Sequence, residues 1–333
     1  MDAWKESATN EAASLRPPGR AAIKLPKSPG RVTTGQYESG NLAFPQIDHP
    51  FRDPMHPIPK ASGLAAAIVL LMAGSAAVAA PFTPGNLVVA RVGNGAAILS
   101  NASTAVFLDE YTTAGTLVQS IALPTAASGA NRALTIGGTG TSEGMVSRSV
   151  DNRYVTMSGY DIPPGTASVN GTPTATVNRV VARIDSTGLI DTTTGFTTAF
   201  NANSVRAATT VDGTDIWVSG VGASSLGGVW HRVCGSIAAG TQISTTVTNT
   251  RNLGIAGGQL YVTSGSGAFR LATVGTLTPT TAGQTITNLS GLPTGPLRLT
   301  RFVFLDRDAG VGGNDTRLFL GRCSRWRHSQ VFV

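Results

Sequence analysis

A short phrase recurs four times in the chain and limits the possible folds more than any other feature. Each copy has Asp, Asn or Gly turn residues, then an aromatic residue beside a β-branched or aliphatic one. Three of the copies close on Ser-Gly. The copies span residues 149–159, 210–220, 255–265 and 311–320. Because such turn residues tolerate positive φ, each copy predicts a tight turn that leads into a buried strand.

A second unit, a strand–turn–strand hairpin, lies between the copies. Its strands alternate polar and apolar residues with the period of two that is typical of β-structure. The hairpins are 104–111 with 116–123, 179–185 with 189–191, and a third that opens at 268–274. Thr, Gly, Ser, Ala and Val dominate, and no segment has a helical period. Short strands that repeat every 45 to 61 residues are typical of propeller blades. We therefore predict an all-β fold, a β-propeller-like repeat domain over residues 80–320.

An apolar stretch at residues 64–80, LAAAIVLLMAGSAAVAA, has the composition of a signal-peptide core. Lys60 precedes it, and Ala77-Val78-Ala79 supplies the small residues of a cleavage site. We predict a signal peptide over 55–79 and a non-native extension over 1–54. The protein is then secreted, periplasmic or on the cell surface, with no stable membrane span after cleavage. An uncleaved anchor is the alternative, since the stretch is marginally long enough to span a bilayer.

The composition changes abruptly after Leu320, where the chain ends in GRCSRWRHSQVFV. We interpret residues 321–333 as a frameshifted tail and expect the propeller to be incomplete at its C-terminus. The window 230–234, WHRVC, has a similar foreign composition. The two cysteines fall in these two segments, which argues against a disulfide between them.

The net charge of +7 does not indicate a nucleic-acid partner. After residue 80 the chain has no lysine, and three of its arginines stand in the last dozen residues. The arginines before residue 320 are spread singly through strand-like segments, whereas a nucleic-acid face needs clustered basic residues with interleaved aromatics. We expect them to occupy solvated strand positions.

Four segments carry a resemblance to a known family. They are FTPGNLVVARVG, FLDEYTTAGTLVQSIALP, SRSVDNRYVTMSGYD and ATVNRVVARID, within residues 81–320. Together they resemble a family of secreted bacterial β-propeller-like proteins. The resemblance implies export and a β-propeller, but the family has no catalytic motif to carry over.

The best metal candidate is the segment around a Gly-rich bend after residue 305. Asp306, Asp308, Asn314 and Asp315 offer hard oxygen ligands that suit Ca²⁺. The segment lacks the bidentate Glu of an EF-hand loop. The competing interpretation, which we favour, is a turn whose side chains cap their own backbone. No other cofactor is indicated.

The histidines offer little for catalysis. Two precede the predicted cleavage site, and His231 and His328 lie in the two foreign segments, so we expect no Ser-His-Asp triad and no zinc site. Asp109 and Glu110 are adjacent and must point to opposite faces of a strand, so they cannot act as a carboxylate pair. We expect them at a strand end that meets solvent.

These patterns favour an exported β-propeller that serves as a binding or structural scaffold, with an extracellular glycan or protein as partner. The first alternative is an extracellular hydrolase or lyase acting on sugar or phosphate esters through Asp161, Asp185 or Asp306. The second is a truncated gene product without a function, whose open sheet edges would invite aggregation.

Overall fold

A computed structural model describes residues 79–333 except 266, 268–269, 293–298, 306–316, 322–329 and 333. Within these limits the chain has twenty strands, two single-turn 3-10 helices and no α-helix. The prediction of an all-β fold is therefore confirmed for this part of the chain. No helix in the described ranges is long and apolar enough to cross a membrane.

The strands follow one another closely along the chain. They are β1 Leu87–Val92, β2 Ser103–Tyr111, β3 Leu117–Ala122, β4 Thr135–Gly137, β5 Ser147–Arg148, β6 Tyr154–Tyr160, β7 Arg179–Asp185, β8 Ile190–Phe196, β9 Val205–Thr210, β10 Asp215–Gly220, β11 Gly228–Val233, β12 Ile237–Ala238, β13 Thr241–Ser244, β14 Thr250–Ala256, β15 Gln259–Ser264, β16 Leu271–Val274, β17 Ile286–Asn288, β18 Arg301–Leu305, β19 Arg317–Gly321 and β20 Gln330–Phe332. The 3-10 turns are Val169–Gly171 and Ala223–Ser225.

Runs of four antiparallel strands are the repeated unit of the fold. Two runs are separate sheets, β9-β10-β11-β13 and β14-β15-β16-β17. The ten-stranded sheet contains two more, β20-β1-β2-β3 and β5-β6-β7-β8, which β4 joins by pairing with both β2 and β6. A two-stranded sheet, β18-β19, follows. The strands that open these runs lie side by side, β5 against β9, β9 against β14 and β14 against β18.

Three copies of the recurring phrase contain β6, β10 and β15, each of which is the second strand of a run. The fourth copy contains most of β19, which belongs to the two-stranded sheet. Both predicted hairpins also form, as β2 with β3 and β7 with β8. The segment expected to open a third hairpin supplies β16, which pairs with β17.

The Ser-Gly ending of the phrase is explained by a close approach of neighbouring backbone. A Cβ at Gly220 would collide with the carbonyl oxygen of Ser204 and the ring of Phe200. The preceding Ser219 is fully buried, and its hydroxyl donates a 2.5 Å hydrogen bond to the carbonyl of Arg251 on the next run. Small residues are therefore required where adjacent sheets meet.

The apolar core consists of three clusters between the sheets. One lies under β1, β2, β6 and β7 and includes Leu108, Leu134 and Ile184. A second is built around Trp217 and reaches β14 to β17. The third, around Phe196 and Phe200, joins β7 to β11. Trp217 and its neighbours on β10 alternate between the second and third clusters, so both faces of this strand are buried.

The window 230–234, foreign in composition, is part of this framework. It lies mostly on β11, where Trp230 is buried and packs edge-on against Phe200 with ring centroids 6.5 Å apart. Cys234 packs against the same cluster and forms no disulfide. Its possible partner Cys323 lies outside the described residues. Of the tail, 330–332 form β20 and pair with β1.

Candidate functional site: a buried arginine cluster

The candidate calcium ligands lie in a segment that the structure does not describe. Asp306, Asp308, Asn314 and Asp315 all lie outside the described residues. Within the described ranges, no group of three or more His, Cys, Asp or Glu side chains is arranged to hold a metal ion.

The two remaining carboxylates proposed for hydrolysis are not brought together. Asp161 follows one end of β6, whereas Asp185 pairs with Tyr154 at the other end, about 20 Å away at 3.3 Å per residue. Burial raises the pKa of Asp161. Burial opposes ionisation of Asp185 too, but hydrogen bonds from Thr187 and Leu189 hold its pKa below the ordinary value. Asp185 therefore stabilises the turn that follows it.

The expectation that Asp109 and Glu110 meet solvent is wrong. Asp109 is 3% exposed and Glu110 is fully buried. Asp109 pairs with Arg91, while Glu110 accepts hydrogen bonds from Thr83, Asn86 and Gln119. The two carboxylates do use separate sets of partners, as their adjacent positions on a strand require.

His231 has an orienting carboxylate. Its Nε2 lies 2.7 Å from Oδ1 of Asp215, and its ring lies 5.4 Å from that of Trp217. The arrangement supplies two members of a triad, but the imidazole faces an indole rather than a nucleophile.

A buried network centred on Glu143 connects three segments of the chain. One carboxylate oxygen accepts hydrogen bonds from the Tyr160 hydroxyl at 3.0 Å and the Ser204 hydroxyl at 2.7 Å. The other accepts the backbone N–H of Gly137. Burial, reinforced by the negative charge of Glu143, raises the pKa of Tyr160 well above 10. Tyr160 therefore stays protonated and donates to the carboxylate.

Arg179 beside this network is fully buried and binds backbone rather than a carboxylate. Its guanidinium donates to the carbonyls of Thr172, Val177, Phe200 and Asn203. Burial lowers its pKa to about 10. Because four of its acceptors belong to loops that join strands, the role of Arg179 is to hold these loops in place.

Arg206 has fewer partners than Arg179, because only its Nη1 is hydrogen-bonded, although Nε is buried without a partner in both residues. It lies on β9, is 7% exposed, and its Nη1 donates to Oδ1 of Asn249 at 2.7 Å and to the carbonyl of Thr250 at 2.6 Å. Its Nε is buried without a hydrogen-bond partner, and no carboxylate of a described residue lies within ion-pair distance of it.

The electrostatic surroundings of Arg206 are unfavourable to its charge. Burial and, after it, the positive charge of Arg251 lower its pKa to about 10, against weaker opposition from Glu143 and Tyr160. Arg251 occupies the second position of β14, as Arg206 does on the neighbouring β9. Two guanidiniums thus approach one another where the opening strands of adjacent runs meet. We call Glu143, Ser204, Arg206 and Arg251 the arginine cluster.

The expectation that the arginines occupy solvated strand positions is therefore wrong for Arg179, Arg206 and Arg270, which are all buried. The sequence carried one usable signal, an arginine inside the uncharged run Ser204-Val-Arg-Ala-Ala-Thr209. A charge in a segment that otherwise reads as a fully buried strand is a candidate for function.

A cleft of about 340 Å³ lies elsewhere, at the start of β6. Phe82, Pro84, Arg148 and Tyr154 contribute to its walls. Of the charges near Tyr154, Arg153 pairs with Asp151 and Arg183 with Asp191, whereas Arg148 is exposed to solvent. The arginine cluster is consequently the stronger candidate.

Comparisons with protein-family models, curated proteins and solved structures found no match to this chain.

Proposed function

We propose that this protein is an exported β-propeller that acts as a binding scaffold. The observation that carries the proposal is the succession of four-stranded antiparallel runs whose opening strands lie side by side. In a β-propeller, four-stranded sheets form blades around a centre, and the first strand of each blade lies innermost. The pairing of β20 with β1, which joins the end of the chain to its first run, is in keeping with that arrangement.

Binding is favoured over catalysis because buried charge, not a catalytic constellation, collects on the opening strands. Arg206 and Arg251 lie there, whereas Asp161 and Asp185 are far apart and His231 faces an indole. Propellers commonly bind ligands near their central strands, which is an argument from architecture alone. The partner proposed is an extracellular glycan or protein and not a nucleic acid.

A glycan array and a general hydrolase panel test this proposal on the purified protein. We expect retention of a defined glycan set without turnover, with a heat-unfolded sample as the control. Turnover that a chelator abolishes would instead support the extracellular hydrolase or lyase.

Export is tested separately. Mass spectrometry of protein recovered from the medium or cell surface should give Ala80 as the first residue, because the predicted cleavage follows Ala79. Protein that stays in the cell with residues 55–79 attached would contradict export.

A further inference from the structure

The unsatisfied part of Arg206 is one particular edge of its guanidinium. Both of its hydrogen bonds to described residues use Nη1. Nε is buried and has no partner, and Nη2 donates to no described residue. Nε and Nη2 together form the side-on edge of an arginine, whose parallel N–H groups match two oxygens of one carboxylate or phosphate.

The protein uses this same edge elsewhere. Arg91 presents Nε and Nη2 to Asp109 at 2.5 and 3.1 Å, and its Nη1 donates to the carbonyl of Gly93. Arg206 has the equivalent backbone bond through Nη1, to Thr250. What Arg91 has and Arg206 lacks among the described residues is the oxyanion.

A nearly buried guanidinium without a counter-ion is destabilising, and a second guanidinium nearby adds repulsion. Neighbours within the fold do not remove this penalty. Glu143 uses its oxygens to accept from Tyr160, Ser204 and Gly137. Arg206 as a residue keeps 7% exposure while its Nε is buried, so an anion must displace neighbouring atoms to reach that atom. An anion from solution would supply the missing partner.

We propose that the side-on edge of Arg206 binds an oxyanion, either a carboxylate or a phosphate group, of an otherwise unidentified ligand. Two features fix the guanidinium for this purpose. Asn249 and Thr250 anchor Nη1, and Ser204, two residues before Arg206, donates a hydrogen bond to Glu143. The inference deepens the proposed binding function and rests on it, since it names the chemical group that the scaffold would recognise.

Isothermal titration calorimetry with glucuronate, inorganic phosphate and neutral glucose tests the inference on the full chain. We expect one or both oxyanions to bind and glucose not to bind. Tighter binding of glucuronate would identify a carboxylate ligand, and tighter binding of phosphate a phosphorylated one. Arg206→Gln should weaken the preferred anion at least tenfold, because the fork and the charge are both lost.

Two further variants keep the test decisive if Arg206→Gln does not fold. Arg206→Lys retains the charge but not the fork, and should still weaken binding several-fold. Asn249→Ala removes an anchor of Nη1 and should have a smaller effect in the same direction. Arg153→Gln changes an exposed arginine in the turn before β6 and is the matched control. This variant should bind the anion like wild type.

Wild-type protein that binds neither anion would overturn the inference, as would equal binding by wild type, Arg206→Gln and Arg206→Lys. Failure of the broader proposal has a different signature. Glycan retention that does not depend on Arg206 would support the binding scaffold and reject the anion site. Anion binding without any glycan or protein retention would support the anion site and reject the scaffold.

Discussion

Two buried charged regions of this protein differ in how completely their charges are satisfied. On β1 to β3, Asp109 pairs with the side-on edge of Arg91 and also accepts from Ser120, while Glu110 accepts from three donors. On β9 and β14, Arg206 has hydrogen bonds from Nη1 alone and a second guanidinium close by.

The difference separates a structural role from a binding role. Buried charges that only stabilise a fold are normally provided with partners from the fold itself, because an unpaired one is costly. The region around Glu110 meets that requirement and Arg206 does not. Removing a charge should therefore be strongly destabilising at Glu110 and nearly neutral at Arg206.

The largest effect is expected for Glu110→Gln. The substitution keeps one acceptor oxygen and replaces the other with a donor, so either Gln119 or the pair Thr83 and Asn86 loses its acceptor. We expect a loss of about 3 kcal/mol in the free energy of unfolding, measured by urea denaturation. Asp212→Asn at an exposed turn is the control and should cost less than about 1 kcal/mol. A Glu110→Gln variant as stable as that control would contradict the comparison.

Acidification should remove the stabilisation that ionised Glu110 provides. Burial opposes ionisation of Glu110, but the hydrogen bonds from Gln119, Thr83 and Asn86 prevail and hold its pKa below the ordinary 4.5. Because the pKa is lowered in the folded state, the stabilisation is complete above pH 4.5 and is lost as the pH falls through the folded value.

The difference in unfolding free energy between wild type and Glu110→Gln should therefore be constant from pH 7 to 5 and shrink below 4.5. Using the difference cancels the other carboxylates, such as Asp185 and Asp191, whose pKa values are also lowered. A difference that stays constant down to pH 3 would show that folding does not lower the pKa of Glu110, and would contradict the prediction.

A smaller effect is expected for Arg91→Lys. Lysine keeps the charge but cannot present two parallel donors to Asp109. We expect a loss of about 1 to 2 kcal/mol by the same denaturation measurement, since Asp109 is buried while Arg91 is partly exposed. Arg153→Lys, at the largely exposed pair with Asp151, should leave stability close to that of wild type. Equal losses in the two variants would mean that the fork is unimportant.

The sequence predicted the strands well because their signals are local. The alternation in 104–111 and 116–123 marks β2 and β3, and the turn residues before Tyr154 and Asp215 mark β6 and β10. Each signal lies within about ten residues and reflects which side of a strand is buried.

The arginine cluster could not be predicted in this way. Glu143 meets Ser204 across 61 residues, and Arg206 meets Asn249 across 43. These contacts depend on which strands are neighbours in the fold, and the sequence alone does not indicate that. The same limit explains the error over Asp109 and Glu110, whose burial depends on Asn86 and Arg91 from another strand.

The smallest effect is expected for Arg206→Met, and this variant tests the comparison most directly. Arg206→Met removes an uncompensated buried charge and two hydrogen bonds, so the gain and the loss should offset each other. We expect the free energy of unfolding to stay within about 1 kcal/mol of wild type in anion-free buffer. In saturating anion the wild type alone should gain stability, because only it binds the ligand. A loss of about 3 kcal/mol in anion-free buffer would instead place Arg206 with Glu110, as a charge that the fold itself requires.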